Sequence, residues 1–275
     1  MPPAPSSSSS SSSSISLQIT YAHPSDLPTL IRTEIRSFPS SNYMRSTYKH
    51  CAPPAIHTFK TVSALDYFAN PECHMLAGID ARTGETIAYS RWHIPAVYGY
   101  ERAVDTTLSA EAEAQRRDAW AYAPPLLNRG TYAFYEEMVE RSRRGFLQES
   151  DFVLEMLCVL PEYQRMGVGR KLLQWGIEKA DACHARIYLE ATMEGVPAYL
   201  KYGWEVVEEI RLDYTERGGV GSQSFALMSN THPRGAGPAM APSYIYYYLN
   251  NYCSSWDITG VQNSSTGFWV GWIRR

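Results

Sequence analysis

Long apolar runs are missing from this chain. Nothing in its 275 residues approaches the roughly 18 to 20 consecutive apolar residues that a membrane-spanning helix needs, so no membrane partner is expected. Cysteine is sparse and scattered: Cys51, Cys73, Cys158, Cys183 and Cys253 are odd in number and make neither a CxxC pair nor a metal-ligand spacing. That argues against a disulfide framework and for a reducing compartment. His74, His93 and His184 stand alone, so no metal is expected. An excess of one charge is also lacking. A formal net charge of -3 creates no field that would gather nucleic acid or acidic lipid. The opening MPPAPSSSSSSSSS has neither the basic start nor the apolar centre of a secretory signal, and the cytoplasm, with the nucleus as the other option, is the expected location. What is present, 44% hydrophobic and 19% charged residues, suits a globular fold with a sizeable core.

The serine run in residues 1–14 cannot bury apolar surface and reads as a disordered leader. Structure is expected from ISLQITYA onward. A helix DLPTLIRTEIRSF follows, with Ser25 or Asp26 as its N-cap. CHMLAGIDARTGETIAYSRWHI reads as a hairpin, with Gly84 supplying the positive φ of its loop. Helix formers recur in SAEAEAQRRDAWAY. In YAFYEEMVERSRRGF, Tyr132, Phe134, Tyr135 and Met138 fall near helical spacing, with acids early and arginines late as the helix dipole prefers. The arginines of ERSRRG read as a solvated helix end.

The best-organised stretch comes next. FVLEMLCVL, apolar and ended by Pro161, reads as a strand. A helix over residues 168–183 carries Lys171, Gln174, Glu178 and Asp181 on one face and Leu172, Leu173, Gly176, Ile177 and Ala180 on the other. ARIYLEA, VPAYLKY, WEVVEEI and SQSFALMS then read as strand, short helix with Pro197 in its first turn, strand and strand. This β–α–β–α–β order predicts an α/β or α+β domain over 15–230 with part of its sheet parallel. Residues 231–275 read as a Pro/Gly linker and an aromatic-rich tail of unassigned role.

The strand-to-helix junction QRMGVG is the chemically suggestive element. The first N–H groups of a helix lack internal partners and carry the positive dipole end. Gly167 and Gly169 leave room for a phosphate to reach them, with Arg165, Arg170 and Lys171 nearby. Two nucleotide loops are excluded: neither glycine is followed by Lys and Ser/Thr, and no third glycine completes GxGxxG. An ordinary turn remains the plain alternative for the junction taken alone.

Gln164-Arg165-Met166-Gly167-Val168-Gly169 resembles the (Q/R)xxGx(G/A) signature of the GCN5-related N-acetyltransferases. Downstream, AYLKYGWE is similar to that family's lYeklGF element, with Tyr199 four residues before Gly203 and Trp204 in the usual Phe position. The resemblance covers roughly residues 152–207; the middle region looks like the helical insert of fungal-type, small-molecule-directed members. It implies a mixed, mostly antiparallel sheet flanked by helices, with a splayed parallel strand pair at an acetyl-CoA site. It implies that Gln164, Arg165, Met166, Gly167, Val168, Gly169 and Arg170 hold the pyrophosphate, and that the backbone of Leu157, Cys158 and Val159 holds the pantetheine arm. Glu155 would be the general base and Tyr199 the acid for the leaving thiolate. The plainer readings are a structural ion pair for Glu155, a core tyrosine for Tyr199 and a buried structural thiol for Cys158 rather than an acetyl-cysteine. The family's asparagine shortly before the tyrosine has no counterpart in TMEGVPAY. The implied activity is acetyl transfer to a primary amine of a small molecule or peptide. The alternative is a non-catalytic acyl-CoA sensor, with monomer and homodimer both open.

Overall fold

The computed structural model describes residues 15–230; the serine leader and the aromatic tail lie outside the described residues. The chain begins with β1 (Leu17–Tyr21), followed by α1 (Leu27–Ser37), α2 (Asn42–Thr47), α3 (Pro53–Ser63) and α4 (Leu65–Ala69). The hairpin β2 (Cys73–Asp80) and β3 (Thr86–His93) follows, then α5 (Ala110–Arg117) and α6 (Arg129–Phe146). The last part alternates: β4 (Phe152–Val159), α7 (Val168–Cys183), β5 (Ile187–Thr192), α8 (Val196–Leu200), β6 (Trp204–Asp213) and β7 (Ser222–Asn230).

The strands form one sheet in the order β1-β2-β3-β4-β5-β7-β6. All neighbours are antiparallel except β4 and β5. The hairpin loop contains Gly84 at φ +72°, as its sequence predicts. Asp26, one of the two residues expected, is the N-cap of α1, but its side chain makes no capping bond into that helix. Asp26 has helical dihedrals and its carboxylate reaches back to accept from the His23 N–H at 2.8 Å, closing a turn of 3-10 helix before α1.

Alternation along the strands gives the sheet two apolar faces. On one, Leu172, Leu173 and Ala180 of α7 pack with Trp92, Phe152, Leu154, Ile187 and Leu189. Gly176 lets α7 lie directly on the buried indole, since a Cβ there would stand 2.3 Å from a Trp92 ring carbon. On the other face, α1, α3 and α4 cover Met75, Ala77, Tyr89 and Cys158. Helix α6 covers the same face farther along, with Phe146 against Val153, Tyr188 and Leu227. Among the described residues, no helix is long and apolar enough to cross a membrane.

Candidate active site

The parallel pair is short. Its register holds for Phe152↔Ile187, Val153↔Tyr188 and Leu154↔Leu189 and then stops, although both strands continue. Beyond that point β4 stays paired with β3, and β5 with β7. The two strands therefore splay, leaving one side of Glu155–Val159 without a sheet partner. The splay starts at a bulge. Leu154 pairs with Trp92 and Met156 with Arg91, which leaves Glu155 with no counterpart on β3. The Leu160 N–H donates to Ile87 on β3 at 2.9 Å, so two-residue alternation turns Cys158 toward β3 and Leu157 and Val159 toward the gap. The gap-facing carbonyl of Val159 accepts from Gln164 Nε2 at 3.0 Å. Of the three residues expected to present backbone to the gap, the structure brings Leu157 and Val159 there. Cys158 instead buries its thiol among the α1-side apolar residues, where desolvation pushes its pKa up.

The glycine junction lies where β4 ends. A turn of 3-10 helix at Pro161–Tyr163 leads into it, and both Arg165 (φ +61°) and Gly167 (φ +84°) are left-handed. Left-handed residues in a loop gather N–H groups onto one side, the geometry of an anion nest. A non-glycine held there stores strain that functional loops commonly retain. The first N–H groups of α7 have no intrahelical acceptor and point out of its N-terminus toward the junction. Nothing lies within 4 Å of the position a Cβ would take at Gly167, and only the Val159 side chain, at 3.4 Å, at Gly169. Arg165, Met166, Gly167 and Arg170 are exposed while Val168 is buried beneath them. The loop is thus open, lined with N–H donors and anchored from below, which fits a pyrophosphate.

Because β4 and β5 are parallel, the elements that follow them emerge at the same end of the sheet. The glycine junction follows β4; α8, carrying Tyr199, follows β5 by a short turn. The ring of Tyr199 packs edge-on to Trp204 at 5.9 Å. Its hydroxyl has no hydrogen-bond partner among the described residues, and burial pushes its pKa up to about 12.

Glu155 is held firmly. Its Oε2 accepts from Arg91 Nε at 2.9 Å and its Oε1 from Arg143 Nη1 at 3.3 Å, with only 4% of the side chain exposed. Arg143 also donates to both oxygens of Glu190 on β5, at 2.9 and 3.3 Å. One guanidinium from α6 therefore spans the two strands where their ladder ends. This corrects the reading of ERSRRG as a solvated end: Arg143 is 11% exposed, although its neighbours Arg141 and Arg144 face solvent. The helical period places Arg143 on the inward face; only the position of the two carboxylates gives it partners. Among the described residues, no group of three or more metal-ligating side chains occurs.

Comparison with known proteins finds one family match and several similar solved structures. Residues 135–214, from mid-α6 to just past β6, match the family model described as an acetyltransferase (GNAT) domain. Similar solved structures include a histone acetyltransferase HPA2 and related acetyltransferase from Corynebacterium glutamicum. It is 16% identical, with 83% of this chain and 99% of that one covered at a TM-score of 0.48. Another is the polyamine N-acetyltransferase of Drosophila melanogaster, 12% identical, with 78% and 98% covered at 0.47. A third is the PaiA N-acetyltransferase of Thermoplasma acidophilum in complex with coenzyme A, 16% identical, with 79% and 100% covered at 0.42. No curated protein matches the sequence. The matched segment contains the splayed strand pair, the glycine junction and α8. Over residues 135–214 the chain is similar to the GNAT acetyltransferases.

Proposed function

We propose that this protein is an acetyl-CoA-dependent N-acetyltransferase acting on a primary amine by direct transfer. The observation that carries the reading is the β4–β5 ladder ending at Leu154/Leu189 with an open, donor-lined glycine junction at the end of β4. In this proposal the N–H groups of residues 165–170, with Arg165 and Arg170 beside them, hold the pyrophosphate, and Met166 covers it. Gln164 fixes the junction to β4 through Val159, and Leu157 and Val159 offer backbone groups to the pantetheine arm. The cosubstrate, when bound, supplies an activated acetyl thioester. Tyr199 gives its proton to the departing thiolate. Its partnerless hydroxyl and raised pKa keep it protonated at neutral pH. Glu155 stands at the bulge as the expected base, and one of its guanidinium bonds must yield before it accepts a proton from the amine or from an intervening water.

Acetyl-CoA is expected to raise the melting temperature of the wild-type protein. Gly167→Asp should abolish the rise, because aspartate tolerates the left-handed backbone but sets a carboxylate against the pyrophosphate. Gly167→Asn, with the same shape and no charge, should retain most of it. A wild-type protein with no thermal response to acetyl-CoA would defeat the proposal. Thiol release with amines then separates an enzyme from an acyl-CoA sensor on the same fold.

A further inference from the structure

The side of the sheet under α6, α3 and α4 holds several charged groups, and nearly all are matched. Lys60 pairs with Glu34 at 2.7 Å, Arg91 with Glu155 at 2.9 Å, and Arg143 with both Glu155 and Glu190. Glu140 pairs with Arg144 farther along α6. Glu136 does not fit this accounting. It is part-buried, two helical turns before Arg143 on the same face of α6, and has neither a hydrogen bond nor an ion pair among the described residues. Tyrosines on and beside α2, α4 and α6 lie within electrostatic reach of it. Tyr43 of α2 lies against Tyr135 of α6 with ring centroids 4.3 Å apart, and Tyr48 stands edge-on to Tyr43 at 6.4 Å. Tyr132 occupies the preceding turn of α6, and Tyr67 of α4 lies under the Arg91 guanidinium, 3.6 Å from its ring centre. All five tyrosines feel the charge of Glu136.

We propose that Glu136 and these tyrosines form the acceptor pocket, the carboxylate holding the ammonium of a primary amine whose apolar body lies against the rings. The inference deepens the acetyltransferase reading and rests on it. Three features converge. The carboxylate makes no hydrogen bond or ion pair among the described residues, the rings offer an apolar surface, and Arg91, lying on Tyr67 and bonded to Glu155, links the pocket to the bulge. The charges that act on Glu136 are Lys60 of α3, Arg91 of β3, and Arg143 and Glu140 of α6. Burial outweighs the three cations and pushes the carboxyl up to about 7. The sign for binding follows: above about pH 7 the group is ionised and attracts an ammonium, and as pH falls through that value it takes a proton and the attraction is lost.

The test is calorimetric titration of phenethylamine into the full-length protein saturated with CoA. The wild type is expected to bind at pH 8 and to weaken as pH falls to 5.5. Glu136→Gln should bind at pH 8 at least about tenfold more weakly, the loss of one charge-assisted contact, and should lose the pH dependence. Its thermal response to acetyl-CoA should match the wild type. Removing a desolvated charge should leave its melting temperature at pH 8 no lower. No binding by the wild type, or equal binding by both proteins, overturns the proposal. Binding through Glu136 without acetylated product upholds the pocket and defeats the enzymatic reading. Acetylation of the amine with equal kcat/KM by both proteins upholds the enzyme and defeats the pocket.

Discussion

Replacing Arg143 by methionine removes a cation that spans β4 and β5 where their ladder stops, while keeping most of the side chain's length. The wild-type guanidinium makes contacts of 2.9 and 3.3 Å to Glu190 and 3.3 Å to Glu155. Exposures of 11%, 9% and 4% for Arg143, Glu190 and Glu155 decide the magnitude. An exposed pair would contribute about 0–1 kcal/mol, but deleting one member of a buried pair strands its partner and costs about 3–5 kcal/mol. In Arg143→Met, Glu155 keeps its bond to Arg91, whereas Glu190 loses both guanidinium bonds and faces a second carboxylate across the gap. Urea unfolding at pH 7.5 should therefore show a loss of about 3 kcal/mol or more. Adding Glu190→Gln should recover at least about 1 kcal/mol by removing the unmatched charge, a coupling that a double-mutant cycle isolates. A single-mutant loss below about 1 kcal/mol, the size of an exposed pair, would refute the argument. So would a double mutant no more stable than the single.

Two further outcomes follow from the packing. Gly176→Ala should cost roughly 1–3 kcal/mol in the same assay, because its Cβ meets the Trp92 ring at 2.3 Å and a fully buried indole has no room to retreat; an unchanged midpoint would contradict the close approach of α7 to the sheet. Tyr199→Phe should lower kcat on the order of 10- to 100-fold and leave the thermal response to acetyl-CoA intact. Unchanged turnover would remove Tyr199 from the proton transfer.

The short-range features were legible. The α7 limits, Val168–Cys183, follow from an amphipathic pattern several turns long, and the β2–β3 hairpin from two β-rich runs around one glycine. Helices α2 and α4, of six and five residues, are too short to show a period, so residues 42–47 and 65–69 offered no comparable signal. The site was legible in part. The QRMGVG junction is contiguous and carries its chemistry in one hexapeptide. Glu155 was recognisable as a carboxylate inside an apolar strand, but a base and a structural ion pair have the same sequence signature. Glu136 stood among the early acids of a helix, where the dipole explained it sufficiently.

By itself the sequence determined the order of elements from β4 to β7, the expectation of a parallel strand pair and the glycine junction between β4 and α7, because each arises from neighbours along the chain. Only the tertiary structure decided how the charges are distributed. Arg91, Arg143, Glu155 and Glu190 meet because a bulge and a truncated ladder bring β3, α6, β4 and β5 to one place. Whether a carboxylate finds a guanidinium, as Glu155 does, or makes no ion pair among the described residues, as Glu136 does, depends on residues distant in the chain.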